Sequence, residues 1–257
     1  AAAGDTSSLS YNDADESATD PDELRRQKER IDKLAVNAHS LRVAKQLVER
    51  LVADVESMSR RVGQSPQQLM QSAVFVTNSD SPVLTLSDRE RLLKAMVPRS
   101  SVALRVVVTL LGPLTSMPTA LQRAILEYVV LVFDRIEERT MLHNMYRVFL
   151  HYMDAHTLRP LLCHLLYRLT RRVDVLPEHA ARLLDVRRRF GGSAELDQLL
   201  LLYSQYCPHL VQAPARASST SAAAVFRCPN DDFASEMDRI NRLYGDAAGG
   251  GGGSTTS

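Results

Sequence analysis

Seven histidines and three cysteines are the side chains of this 257-residue chain best suited to hold a metal ion or to act as nucleophiles. A zinc site needs converging ligands, which sequences usually supply as closely spaced cysteine or histidine pairs. Cys163 and His164 are adjacent, so their side chains would diverge by about 100° on a helix. The other close pairs stand in isolation: Cys207 with His209, and His151 with His156. We therefore expect no metal site and no cofactor.

Motifs of covalent or phosphate chemistry are also missing from the sequence. It contains no G-x-S-x-G, no glycine-rich phosphate loop after a strand, and no H-E-x-x-H. Its serines concentrate at helix starts and in the tails, where hydroxyls cap backbone N–H groups. We expect a protein that binds a partner rather than an enzyme.

The strongest candidate for binding is a basic stretch. Residues 158–192 hold eight arginines against three acids, although the whole chain has a formal charge of only +1. Two predicted helices there carry the arginines opposite their leucines, with some neutralisation within the second helix by Glu178 before Arg182 and Asp185 before Arg189. We call the predicted contact set the basic ridge: Arg159, His164, Tyr167, Arg168, Arg171, Arg172, Arg182, Arg188 and Arg189.

Two kinds of ligand fit such a surface, and a third interpretation needs none. An acidic helix of a partner protein matches it well, and a solvated helix face needs no ligand at all. Nucleic acid is a secondary alternative, because the side chains that read base edges from a recognition helix are missing. A competing docking place is the apolar groove of the neighbouring helix pairs.

The elements that position these residues follow from helical periodicity. Between residues 158 and 172 the leucines fall at i, i+3, i+4, i+7, i+8 and i+11, which forms one stripe on a helix. Residues 118–136 are apolar nearly all round, as expected of a helix wedged between neighbours. Ser40 is expected to cap a helix that stops near Gly63, and "SPQQ" (65–68) to start the next. The sequence predicts an all-α fold of stacked antiparallel helix pairs, a HEAT-like superhelical scaffold.

Composition divides the chain further. We expect residues 1–19 to be disordered and acidic, 20–211 to form the helical domain, 212–229 a linker, 230–245 a last helix, and 246–257 a disordered Gly/Ser tail. The odd, unpaired cysteines favour a reducing compartment. The longest apolar run, about six residues at 128–133, is far below the roughly 18 that a membrane span needs. A soluble intracellular protein with no membrane partner and no small-molecule substrate is expected.

Four pieces occur in order between residues 131 and 211: "FDRIEE", "LRPLLCHLLYRLTRR", "DVLPEHAARLLDVRRRFG" and "LDQLLLLYSQYCPHLV". In this order they resemble the amino-terminal part of the centromere protein I family of the inner kinetochore. The resemblance implies a helical scaffold without enzymatic activity in the nucleus, at the centromere. It also implies the heterodimer of centromere proteins H and K as partner, with centromere protein M as a further candidate.

Overall fold

A computed structural model of the chain describes residues 21–78, 83–214 and 219–244, with side chains from residue 42 onward. The predicted acidic start (1–19) and Gly/Ser tail (246–257) lie outside these residues, as do residues 215–218 of the predicted linker. The chain divides into two units, residues 1–46 and 47–257. The surfaces described below all belong to the second unit.

The described residues form twelve α-helices, some of them extended by 3₁₀ turns. Their bounds are α1 Pro21–Val62, α2 Pro66–Thr77, α3 Leu86–Ala95, α4 Leu104–Leu111, α5 Thr119–Val132, α6 Arg139–Leu142, α7 Tyr146–His151, α8 Arg159–Leu169, α9 Pro177–Phe190, α10 Ala194–Tyr206, α11 Ala222–Val225 and α12 Asp231–Tyr244. β-type backbone pairing is limited, in this part of the chain, to two single bridges: Gln64 with Pro98, and Val102 with Ile136. No described helix combines the length and apolar composition of a membrane span.

Local sequence signals account for several helix boundaries. At α2, which begins where "SPQQ" predicted, Ser65 accepts a hydrogen bond from the Gln68 N–H while the Gln68 side chain accepts one from the Ser65 N–H, so the two residues form a capping box. Asn230 caps α12 through the Phe233 N–H at 3.0 Å. The predicted cap at Ser40 is wrong, because Ser40 lies inside α1.

The helices stack in a continuous series. Within residues 47–257, α2 packs on α3 and α4, α3 on α5, α5 on α8, and α8 on α7 and α10. The predicted stripe of α8 is confirmed, since its leucines are buried except for the partly buried Leu161. The predicted all-round burial of α5 is also confirmed: Leu121, Ile125, Leu126 and Val129 are all inaccessible to solvent. The fold is the predicted all-α helical stack.

Gly63 ends α1 with φ of +72°, a conformation that residues with a side chain rarely adopt. A Cβ atom at this position would lie 3.0 Å from Ile240 Cγ2 of α12 and 3.2 Å from Arg99 Cα. The absence of a side chain therefore permits both the turn after α1 and the close approach of α12.

We predict that Gly63→Ala lowers the free energy of unfolding by about 2 kcal/mol, since it combines left-handed strain with a steric clash. Gly191 shows backbone strain without a clash: with φ of +84° and ψ of 169° it lies in a region that essentially only glycine adopts, and nothing lies within 4 Å of an added Cβ. Gly191→Ala should therefore cost about 1–3 kcal/mol through strain alone. Denaturant unfolding followed by circular dichroism measures both, and a Gly63→Ala cost that is not reduced in an Ile240→Ala background would refute the close-packing argument.

Candidate functional site

The basic ridge is carried by α8, α9 and the turn between them. Arg159, His164, Tyr167 and Arg168 lie on α8, Arg171 and Arg172 in the turn, and Arg182, Arg188 and Arg189 on α9. These side chains do not form one free positive surface. Most of them contact other residues of the same chain.

Arg159 is the one ridge arginine that is buried, with 5% of its surface exposed. Its Nε donates to the Met153 carbonyl at 2.9 Å, and its guanidinium lies 4.5 Å from the centroid of the Phe190 ring. The prediction that the ridge arginines point outward is therefore wrong for Arg159. Its place at the start of α8 lets the side chain fold back over the preceding turn, where it links α8 to the end of α9.

Carboxylates of the same chain neutralise the arginines of α9. Asp154 contacts Arg182 at 2.9 Å and Arg189 at 3.4 Å. Asp185 contacts Arg188 at 2.5 Å and Arg189 at 3.6 Å. The hydrogen bond from Arg182 and its positive charge hold the pKa of the Asp154 carboxyl below its usual value. A ligand anion would have to compete with these two aspartates.

The predicted pairing within α9 is half right. Asp185 and Arg189 do form an ion pair, at 3.6 Å. The predicted pair of Glu178 and Arg182 is wrong, because Arg182 turns to Asp154 while Glu178 faces Arg147 at 3.9 Å. Arg182 thus pairs with a carboxylate distant in sequence rather than with the one four residues before it.

The remaining arginines fall into two groups. Arg168 donates to Asp134 and lies over the Phe133 ring, 4.3 Å from its centroid. Arg171 and Arg172 are exposed and form no ion pair within the described residues. The free positive charge of the ridge is concentrated at these two positions.

The two ridge residues with rings, His164 and Tyr167, are covered by the chain itself. The Phe226 ring, just after α11, stacks on His164 at 5.0 Å between centroids and tilts against Tyr167 at 4.7 Å. Burial, helped by the nearby charge of Arg168, lowers the pKa of His164 to about 4. His164 is therefore neutral at pH 7 and belongs to an aromatic contact that fastens residues 222–226 to α8.

This contact predicts a pH dependence of stability. The pKa of His164 falls from its usual 6.5 in the unfolded chain to about 4 in the folded one, so the unfolded state binds the proton first. The contribution of His164 is complete above about pH 6.5 and is lost as pH falls toward 4. We expect a loss of roughly 1 kcal/mol, reduced by solvent screening of the partly exposed ring. Thermal unfolding from pH 7.5 to 4.5 should show a smaller decrease for His164→Phe, and parallel curves would contradict the prediction.

A polar network that sequence reasoning missed lies inside the stack. His143 Nε2 is 2.6 Å from Asp174 Oδ1, and the Tyr146 hydroxyl lies 2.8 Å from Thr170 Oγ1 and 2.6 Å from the Tyr203 hydroxyl. An aspartate–histidine pair is the orienting half of a hydrolytic triad. The other ring nitrogen of His143 is buried and contacts no hydroxyl or thiol in the described structure. The network links distant segments of the core and assembles no nucleophile.

An apolar surface lies on the opposite end of the helical series from α9. We call it the α1–α2 groove: a cleft of about 200 Å³ between residues 48–58 of α1 and the face of α2 that carries Phe75, closed at one end by Leu84. Large apolar side chains on its rim are unusually exposed: Leu51 is 49%, Met58 41% and Phe75 47% exposed. Exposed apolar groups clustered around a concave surface are typical of a protein-binding site.

Comparison with known proteins identifies the family of this chain. The family model CENP-I, described as Mis6, matches residues 3–223, most of the chain and all of both surfaces. The chain belongs to the CENP-I family. The resemblance predicted from the four ordered pieces is thereby confirmed.

Individual relatives agree with this assignment. Centromere protein I of Gallus gallus is 28% identical over 168 residues, which cover 65% of this chain and 22% of that protein. Centromere protein I of Rattus norvegicus is 32% identical over 47% of this chain and 16% of its own length. The inner kinetochore subunit mis6 of Schizosaccharomyces pombe is 24% identical over 68% of this chain and 27% of its own length. The chain spans about a fifth of the length of the curated relatives it matches.

Two solved structures share the fold. The crystal structure of centromere protein Cenp-I matches with a TM-score of 0.65 and 28% identity, covering 77% of this chain and 88% of that one. The crystal structure of the kinetochore subunits Cenp-H/I/K triple complex matches with a TM-score of 0.64 and 28% identity, covering 76% and 86%. CENP-I family members thus share this helical stack with the present chain.

Proposed function

We propose that this chain is a non-enzymatic scaffold of the inner kinetochore that binds the heterodimer of centromere proteins H and K. In this role it would act in the nucleus, supporting kinetochore assembly at centromeres and chromosome segregation. The observation that carries the proposal is the match of 86% of a chain in the Cenp-H/I/K triple complex at a TM-score of 0.64. Because a shared fold alone does not imply a shared function, the proposal also relies on the family match over residues 3–223 and on the 28% sequence identity.

Within this function we assign docking of the H–K pair to the α1–α2 groove. Its exposed leucine, methionine and phenylalanine offer the apolar contacts that usually dominate helix-in-groove binding. The basic ridge is the weaker candidate, since Asp134, Asp154 and Asp185 already occupy most of its arginines. The same internal pairing counts against nucleic-acid binding. Such binding depends on unpaired cationic side chains that neutralise phosphates and release their counterions.

The experiment that tests the proposed function is size-exclusion chromatography with light scattering on this chain mixed with the H–K heterodimer from a matching source. We expect a single peak whose mass equals the sum of one copy of each of the three chains. Separate peaks, with circular dichroism showing a folded helical chain, would refute it. Duplex DNA in place of the heterodimer tests the alternative: binding that weakens steeply with salt would favour the basic ridge.

A further inference from the structure

The last helix is held against the fold in the manner of a bound peptide. On α12 the apolar side chains Phe233, Met237, Ile240 and Tyr244 fall at i, i+4, i+7 and i+11, the spacing of helices that bind in grooves. Phe233 and Ile240 are buried, at 5% and 0% exposure. The apolar part of the attachment runs along this single stripe.

The groove that receives α12 is built by the end of α1, α3 and α5. Phe233 meets the edge of Tyr128 on α5, with ring centroids 6.0 Å apart. Ile240 approaches the bare Cα of Gly63, and Tyr244 lies under the Arg99 guanidinium, 3.9 Å from its ring centroid. These contacts define a docking groove for a helix, on a different face from the α1–α2 groove. We call it the α12 groove.

The fit of α12 is incomplete beside one flank and at its end. A cleft of about 490 Å³ lies beside α12, between Arg60, Lys94 and Glu236. Another of about 610 Å³ lies at its end, between Arg135 and Tyr244. The apolar anchors are seated, while the polar sides of the helix are held by two hydrogen bonds, from Arg239 to the Arg60 carbonyl and from Arg135 to the Met237 carbonyl. A helix attached in this way is expected to open at a lower free energy than the core.

The floor of the groove also carries a polar group that α12 leaves unsatisfied. The Tyr128 hydroxyl is buried, and no hydrogen-bond partner reaches it in the described structure. Burial without a partner raises the pKa of Tyr128 well above its usual value. Buried hydroxyls normally find a partner, so α12 is an imperfect occupant. The matched family region, residues 3–223, contains the groove walls but not α12.

We propose that the α12 groove is a second protein-docking site, which takes an amphipathic helix of a partner protein with apolar side chains at i, i+4, i+7 and i+11. In the free chain α12 occupies this site in cis, and the partner helix displaces it. A tethered helix has an effective concentration in the millimolar range, so it keeps the groove occupied for most of the time. The apparent affinity of a competing helix equals its intrinsic affinity multiplied by the fraction of chains in which the groove is open. The proposal goes beyond H–K binding and does not depend on it.

The test uses a fluorescent peptide of residues 229–244 added to the full chain. In the release variant, Phe233→Ala with Ile240→Ala, the tethered helix is weakened while the groove walls are unchanged. We expect this variant to bind the peptide at least about 10-fold more tightly than the wild-type chain does. Leu243→Ala is the matched control, because Leu243 is on the same helix but 57% exposed. It should leave peptide binding as in the wild type.

Two results would overturn the proposal. One is that the release variant, still helical, fails to bind the peptide; the other is that it loses cooperative unfolding, which would make α12 an integral part of the core. Hydrogen exchange on the unmodified chain gives an independent readout. The amides of α12 should exchange at least about 100-fold faster than those of α3 and α5, and equal protection would also refute displacement.

Discussion

Replacing Leu51 with arginine is expected to weaken binding of the centromere protein H–K pair by about 100-fold or more. Leu51 lines the α1–α2 groove and is half exposed in the free chain. In a complex its side chain would be buried against an apolar helix, where an unpaired guanidinium is strongly unfavourable. In the free chain the same arginine can extend into water, so stability should be nearly unchanged.

Titration of the H–K pair measured by isothermal calorimetry provides the test, with Ala53→Arg as the control. Ala53 is exposed, lies two residues away on the same helix, and does not line the groove. It should therefore accept the same charge without effect on binding. A parallel variant, Arg171→Glu with Arg172→Glu, reverses the two free charges of the basic ridge. If that variant abolishes binding while Leu51→Arg does not, the groove assignment is wrong.

The fold could be predicted where the spacing of apolar residues indicates which face of a helix is buried. In α8 and α5 the apolar spacing reports directly which faces are covered, because a helix repeats every 3.6 residues wherever it lies. The N-caps are similarly local, so the starts of α2 and α12 could be placed from sequence. Ser40 shows the limit of this reasoning. No glycine or proline interrupts α1 after Pro21, and a cap residue alone does not end a helix.

The candidate site was less predictable, since its charges are paired over long sequence distances. Asp154 meets Arg182 and Arg189 from an earlier turn of the stack, 28 and 35 residues before them. A count of arginines along α9 cannot show these partners. The covering of His164 by Phe226, 62 residues away, was equally hidden. Local spacing correctly gave only Asp185 with Arg189, which belong to consecutive turns of one helix.

The α1–α2 groove was also hidden from sequence reasoning, because it depends on how two helices pack together. The sequence marks Leu51 and Phe75 as apolar, but only the packing of α1 on α2 decides that both remain exposed at one rim. Periodicity assigns apolar residues to a core by default. A binding surface is the exception to that rule, so it becomes visible only after the core has been accounted for.

The junction of α1, α2 and α3 beside this groove depends on one buried amide, and we expect Gln64→Ala to lower the free energy of unfolding by about 3–5 kcal/mol. Gln64 is 1% exposed. Its Nε2 donates to Ser59 Oγ and to the Ala95 carbonyl, and its Oε1 accepts from Ser72 Oγ, each at 3.0 Å. One side chain thus joins the end of α1 to α2 and α3. Truncation removes the partner of three polar groups, Ser59 Oγ, the Ala95 carbonyl and Ser72 Oγ, and opens a void between the three helices.

Thermal unfolding should show this as a decrease in Tm of roughly 10 °C for a domain of this size. Gln71→Ala is the control, because Gln71 is exposed on α2, and its truncation should stay within about 0.5 kcal/mol. Gln64→Glu separates hydrogen bonding from packing: it retains the shape but turns a carboxylate oxygen toward the Ala95 carbonyl. A stable Gln64→Glu protein would mean that volume matters at this junction. An unstable one, which we expect, would mean that this junction requires the amide donor facing the Ala95 carbonyl and does not tolerate a buried carboxylate in its place.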